Sequence, residues 1–416
     1  MTPAGLRWVW HELTRPRGHQ RHRFYRVGRG SRSGVALLMV ITSIMLLTVL
    51  VTEITHGAAV RVQLARHHRD EVRAEALANS GVQIYRLVLM ASKMLGSNPM
   101  IAQFAPMLGV NGDSLWQMVP FINTQMMRML LVTGGDVDEV GAGGLTEEQI
   151  AQSRERSGAF DKNFLDFDGD FQARIDDENR FIFVGNFRST DLEQLQDSAV
   201  TQQLLGLMTR ENYDQYLYDN NLEKMELIAN LVDWTDADDL RLWEGGREDS
   251  LYERLDSPYR SKNAPFDTLE EIRLVDGWHL DGVWERMGRH LTIYGGGKVN
   301  VNTAHQPVIF ALLQGYTEVQ YPDQVIKDWV DLFVQYRSLP VAEGGLYIKT
   351  GQQFYQFMTE QLGVPLNPDV ANVVTGESTT FRVTSTGEVG DARVEITAVI
   401  DYSRNPTGDI LYWKVK

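Results

Sequence analysis

Seventeen uncharged residues, Val35-Ala-Leu-Leu-Met-Val-Ile-Thr-Ser-Ile-Met-Leu-Leu-Thr-Val-Leu-Val51, decide how this chain is read. As a helix rising about 1.5 Å per residue, the run to Thr52 spans about 27 Å, close to the hydrocarbon thickness of a bilayer. Arg7, Arg15, Arg17, Arg21, Arg23, Arg26, Arg29 and Arg32 stand before it against a single Glu12, so residues 1–34 carry a net +7. A basic flank of that size holds the N-terminus in the cytoplasm and sends the rest of the chain across the membrane. No A-x-A pattern closes the run, and helical periodicity continues beyond it, so the segment reads as a retained anchor rather than a discarded signal. Its neighbours downstream, Ala74, Leu77, Ala78, Val82, Tyr85, Val88 and Leu89, recur every three or four residues as an amphipathic continuation. Proline is absent from 35 to 98, which predicts one helix of about sixty residues ending near Gly96-Ser97-Asn98-Pro99.

Subtracting +7 from the total of −15 leaves −22 for residues 35–416. So acidic a body disfavours nucleic acid and anionic lipid and favours divalent cations. With no cysteine in 416 residues, neither disulfides nor a thiol nucleophile are available.

Within the body, Phe171–Ile175 and Arg180–Val184 read as strands, expected to form a hairpin around the turn 176–179. A helical block follows from Thr190 to about Phe357, where Thr268 and Glu271 have the spacing of a capping box. The stretch from Val301 looks like half of a helix-hairpin-helix unit, without the basic residues that nucleic acid would need. Residues 380–384, 393–401 and 409–415 then alternate as a β-meander. Strands on both sides of a helical block predict a sheet that is discontinuous in sequence. The Gly-rich stretch 134–144 is expected to be a loop.

Chemistry concentrates in acids. Asp233, Asp236, Asp238, Asp239, Glu244, Glu248 and Asp249 crowd around Gly245-Gly246, and hard oxygen ligands on a turn suit Ca²⁺. The alternative is a solvated acidic loop with helix caps. Asp166-Phe-Asp-Gly-Asp170 is a second, weaker candidate, since it lacks the terminal Glu of an EF-hand. No G-x-S-x-G, H-E-x-x-H or phosphate-binding loop occurs, and His279, His290 and His305 are the body's histidines downstream of the long helix, so no enzyme is expected.

The basic leader closing on Gly34, the apolar helix behind it, and the segments Arg174-Ile-Asp-Asp-Glu-Asn-Arg180, Leu231-Val-Asp-Trp-Thr-Asp-Ala-Asp-Asp239, Ser257-Pro-Tyr-Arg-Ser-Lys-Asn-Ala-Pro-Phe-Asp267 and Val299-Asn-Val-Asn-Thr-Ala304 resemble the type IV pilin-like superfamily, and within it the K-type minor pseudopilins of type II secretion (GspK family). The resemblance implies an α+β fold: a pilin-like long helix packed on an antiparallel sheet, with a large inserted SAM-like helical module. It divides the chain into a leader (1–34), the helix (35–95), a first sheet part (96–188), the inserted domain (189–374) and closing strands (375–416). It also implies cleavage by prepilin peptidase between Gly34 and Val35, N-methylation of Val35, and assembly at a filament tip. At the fifth mature position, where most members carry Glu, stands Met39. A carboxylate in hydrocarbon is tolerated where a partner charge needs it, so Met39 implies either no subunit ahead or one that is met differently. Calcium at Asp233, Asp236, Asp238, Asp239, Glu248 and Asp249 is the implied cofactor. Implied partners are the I- and J-type minor pseudopilins, the major pseudopilin, the inner-membrane platform and secreted proteins, with an inner-membrane anchor and a periplasmic body. The rival readings are a minor pilin of a type IV pilus or DNA-uptake system, and a membrane-anchored periplasmic metal-dependent hydrolase.

Overall fold

The structure, a computed structural model, describes residues 32–96, 115–127, 168–185, 187, 189, 191–339 and 345–416. The leader up to residue 31, the loop 134–144 and Asp166 lie outside the described residues. Two compact units are present, one ending at Arg66 and the other running from His67 to Lys416. Helix α1 (Arg32–Gly96) is 65 residues long, as the missing proline predicts. Among the described residues it is the one helix long and apolar enough to cross a membrane. Over the apolar run its hydroxyls turn inward: Thr48, Thr52 and Thr55 donate to the carbonyls of Ile44, Thr48 and Val51. A threonine that satisfies itself in this way adds no exposed donor to an apolar surface.

In the second unit, α1 buries Ala74, Ala78, Val82, Tyr85 and Leu89, each at most 1% exposed, at spacings of four, four, three and four. This single face lies on an antiparallel sheet of five strands in the order β1-β2-β7-β8-β9, where β1 is Phe121–Asn123, β2 Asp170–Asp177, β7 Thr380–Val389, β8 Ala392–Asp401 and β9 Asp409–Val415. The helix meets the sheet closely at Gly81, where a Cβ would lie 2.2 Å from Ser385 Oγ and 2.9 Å from Ala173 Cβ. Gly81, an apparent interruption of the helix, is thus a packing residue. Ile175, Val383 and Ala398 of β2, β7 and β8 complete this core. Burying each of the larger side chains contributes about 1.5–3 kcal/mol.

β2 pairs with β7 over eight residues, from Asp170 opposite Glu388 to Asp177 opposite Phe381. The sheet is therefore discontinuous in sequence, and the intervening chain builds a helical block with its own core. Its main helices are α2 (Ala199–Met208), α3 (Glu211–Asp219), α4 (Lys224–Asp233), α5 (Gln306–Tyr316) and α6 (Asp323–Ser338). Buried Leu204, Leu207, Phe310 and Leu313 belong to this core, as does Trp278, whose Nε1 donates to the Leu227 carbonyl at 2.8 Å.

Two expectations fail here. Arg180–Val184 does not fold back on β2; instead β3 (Ile182–Phe183) runs parallel to β4 (Leu291–Thr292). The residues between, read as a turn, are held elsewhere. Asp177 is almost wholly buried and accepts from Asn179 N (2.8 Å), Asn300 Nδ2 (3.2 Å), Thr303 Oγ1 (2.5 Å) and Ser378 Oγ (2.5 Å). Buried Glu178 takes Thr292 Oγ1 at 2.5 Å and pairs with Arg382. Asn179 Oδ1 accepts from the amides of Thr379 and Thr380 at 2.9 and 3.0 Å. Three consecutive polar residues thus bind the end of β2 to the helical block and to the returning chain. The segment Val299–Ala304 is built to match. Val299 and Val301 enter the core, while Asn300 reaches Asp177 and Asn302 bonds to Ile348 and Gly376. β5 (Val299–Asn300) also pairs in parallel with β6 (Val374–Thr375).

Second, Thr268 makes no capping hydrogen bond, and Leu269–Leu274 is a 3-10 turn rather than an α-helix. Glu271 is engaged elsewhere, accepting from Trp234 Nε1 at 3.0 Å, Lys262 Nζ and the amide of Asp267.

Candidate metal centre

Helix α4 ends in Asp233, after which the chain turns sharply: the amides of Thr235 and Asp236 both donate to Val232 O, at 2.8 and 2.9 Å. Thr235 Oγ1 fastens this turn to Phe187 O at 3.0 Å. The next twelve residues make a tight excursion. Arg241 N donates to Gly246 O, Leu240 bridges Arg247, and Gly245 and Gly246 adopt positive φ of 70° and 96°. Such conformations cost glycine little and other residues much. Glu248 N closes the loop on Asp239 O at 3.2 Å, which brings the Glu248 carboxylate back beside the end of α4.

In consequence, one carboxylate oxygen each of Asp233, Asp236 and Glu248 lies within 4.8 Å of the others. Asp233 and Glu248 are buried and Asp236 is half-buried. Leu242 N donates to Asp233 Oδ1 at 3.0 Å, but Asp233 Oδ2, Asp236 Oδ1 and both oxygens of Glu248 are buried without a hydrogen-bond partner. Burial first, and mutual repulsion with it, pushes Asp233 up to about 7, Asp236 to about 6 and Glu248 to about 8. Unpaired carboxylates out of water are costly in their charged form. Either protons or a cation must neutralise them.

The donor set fits a hard cation. Four unpartnered carboxylate oxygens from three residues match the oxygen coordination of Ca²⁺, whose remaining ligands can be carbonyls and water. Asp238, Asp239 and Asp249 stay outside the converging group. Asp238 Oδ1 accepts from Leu240 N at 2.8 Å, Asp239 Oδ1 accepts from Asn263 Nδ2 at 3.1 Å, and Asp249 faces Arg247 and Ser261. These three shape the loop instead. Of the second candidate stretch, Asp168 faces Arg73 at 3.7 Å, and among the described residues no metal-holding group forms there.

Behind the cluster stands an aromatic wall that composition alone did not reveal. Trp234, next to the ligand candidate Asp233, meets Tyr252 edge-on at 5.4 Å and Tyr259 at 6.1 Å, while the two tyrosines stack at 5.1 Å. Glu271 holds the indole N–H and Lys262 neutralises Glu271 at 2.9 Å. The strap 257–267 crosses the loop here, and Asn263 Nδ2 donates to Asp238 O at 2.7 Å. A signal was legible in the sequence: an aromatic residue interrupting an acidic run, as Trp234 does, needs an apolar wall to enter. The anchor residues Gly34, Val35 and Met39 all lie exposed on α1, in the first unit.

Residues 186–296, which contain this centre, match the family described as type II secretion system protein K. The chain is 28% identical over 181 residues to the type II secretion system protein K of Aeromonas hydrophila, covering 42% of this chain and 50% of that one. Over 153 residues it is 30% identical to the protein of the same description from Pseudomonas aeruginosa, covering 36% and 42%. The matched part thus spans about half the length of these relatives. A chain of the crystal structure of the GspK-GspI-GspJ complex from enterotoxigenic Escherichia coli superposes with a TM-score of 0.45 at 17% identity, covering 60% of this chain and 80% of that one.

Proposed function

We infer that this chain, which belongs with the type II secretion K proteins through residues 186–296, is a minor pseudopilin: a structural subunit of the machine that exports folded proteins across the outer membrane. One conjunction carries the reading. A domain matched to protein K stands behind an apolar helix whose basic leader ends on Gly34, the arrangement of a processed pilin-type anchor. Cleavage after Gly34 frees Val35 as the mature terminus, and the apolar run to Val51 holds the subunit in the inner membrane before assembly. The body is then periplasmic, and the I- and J-type pseudopilins are its partners. Met39 assigns it to the tip. Where a glutamate at this position would meet the terminal ammonium of a subunit ahead, a thioether offers no charge, so the chain starts the filament instead of extending it.

Calcium is part of the proposal. Asp233, Asp236 and Glu248 would hold the ion, and its charge would let them remain ionised in a buried loop. Binding then fixes the excursion 236–248 and, through Trp234, the aromatic wall.

Complementation tests this function. In a strain lacking the chain, export by type II secretion should fail and be restored by the wild-type chain. Val35→Asp, which places an unpaired charge in the membrane segment, should not restore it. Normal export without the chain contradicts the reading.

A further inference from the structure

We propose that the outer edge of β9 takes up an extended segment of another subunit as a sixth strand, and that this segment is apolar and flanked by Asp or Glu. The identity of the host as a pseudopilin underlies only the source of the segment; the edge itself is read from geometry.

α1 and its core cover β1, β2, β7 and β8, with contributions from Ile122, Phe171, Val383 and Ile400, but no residue of β9 enters that core. Ile410, Trp413 and Val415 stand opposite Ile400, Ala398 and Ile396, so they share the helix-bearing face of the sheet. Together with Leu411 they remain 39–48% exposed. Large apolar side chains so exposed along one seven-residue strand form a strip, not a scatter. Natural edge strands are usually short, charged or covered, and this one is none of these along its middle.

The backbone specifies the kind of occupant. Glu395 and Lys416 exchange both hydrogen bonds, so their amides and carbonyls face one another. Alternation along an antiparallel ladder then turns the N–H and C=O of Val415 and Trp413 away from β8. Among the described residues no strand pairs with that side. An extended chain matches a row of this geometry donor to acceptor, which is strand addition.

Charge specifies the rest. Residues 402–416 carry Arg404, Lys414 and Lys416 against Asp409, within a body of net −22. Arg86 of α1 adds a cation, donating to Thr407 O at 3.1 Å. Lys414 and Lys416 alternate with Trp413 and Val415 and stand on the other face of the strand; with Arg404 and Arg86 at the turn they complement an acidic-flanked partner and repel the like-charged edge of a second copy.

The experiment uses the full-length chain in detergent, alone and co-purified with the I- and J-type pseudopilins of its own system, with hydrogen exchange read at β9. Trp413 and Val415 amides should exchange at least tenfold more slowly in the complex. Val415→Pro should keep the fold, because its N–H faces outward where edge proline is tolerated, yet bind at least tenfold more weakly. Lys414→Glu with Lys416→Glu should weaken binding further. A stable complex with β9 exchange unchanged, or Val415→Pro binding like wild type, overturns the proposal alone. Protection that appears in the isolated chain with rising concentration also overturns it, by making a second copy the occupant. Failure of the wild-type chain to form any complex overturns the pseudopilin reading and this proposal together.

Discussion

Two buried acidic sites of this chain differ in one respect. At the junction, Asp177 receives four hydrogen bonds from the chain itself, and Glu178 has Thr292 and Arg382. In the loop after α4, Asp233, Asp236 and Glu248 have four buried oxygens with no donor. Burial raises the pKa of both Asp177 and Asp233; four hydrogen bonds oppose it at Asp177, against the single Leu242 amide at Asp233. A carboxylate saturated by its own protein is a structural bolt; a set left short of donors is a place for something else. The contrast gives the first an architectural role and supports the proposal of a cation at the second, although both are runs of Asp and Glu in sequence.

The largest expected effect breaks the bolt. Asp177→Ala strands Asn300, Thr303, Ser378 and the Asn179 amide, and should cost about 3–5 kcal/mol in urea unfolding whether or not calcium is present. If the loss were under about 1 kcal/mol, the junction would not be the saturated member of the pair. Next comes calcium itself. At a hundredfold excess over its Kd it should stabilise the chain by about 2.7 kcal/mol, measured as a thermal shift against chelator. Glu248→Gln should abolish that shift while raising the stability of the calcium-free chain, because a neutral amide removes the cost of burying a carboxylate and, with it, the repulsion from its acidic neighbours. An equal calcium response in the variant would dissolve the contrast.

The pH dependence sharpens the comparison with a smaller effect. Carboxyls whose folded pKa is raised stabilise the fold while protonated, fully so below the ordinary carboxyl value of about 4. In chelator, stability should fall as pH rises through the values of about 6, 7 and 8 of Asp236, Asp233 and Glu248. With calcium present, which competes with those protons, the stabilisation should grow across the same window. Thermal melts from pH 4 to 9 read both slopes, and parallel slopes with and without calcium would count against the site. Smallest of all is Thr268→Ala: since Thr268 caps nothing, it should cost less than about 0.5 kcal/mol, against about 1 for a working cap.

How far the sequence reading reached follows the range of the interactions. α1 was legible because its signals are local: an uncharged run, spacings of three and four, no proline. The meander of β7, β8 and β9 was legible because alternation and glycine-marked turns are local too. The pairing of β2 with β7 joins residues about 200 positions apart, and what could be inferred was only that strands flank a helical block. The hairpin at 176–179 failed for the reason that Asp177, Glu178 and Asn179 are ordinary turn residues until their distant partners at 292–303 and 378–382 are known. Thr268 failed likewise, since Glu271 has better partners in Trp234 and Lys262 than the start of its own turn. In the acidic cluster, composition marked the loop, but the fold brings only Asp233, Asp236 and Glu248 of its seven acids together. Which of them face inward depends on a bridge between Leu240 and Arg247 that charge alone does not encode.

The junction of leader and helix is measured most directly by mass spectrometry of the mature N-terminus of the chain purified from its own membranes. The expected product begins at Val35, lacks residues 1–34 and carries one methyl group on its terminal nitrogen. An intact leader, or a terminus anywhere other than Val35, would contradict assignment of this chain to the processed subunits of a secretion filament.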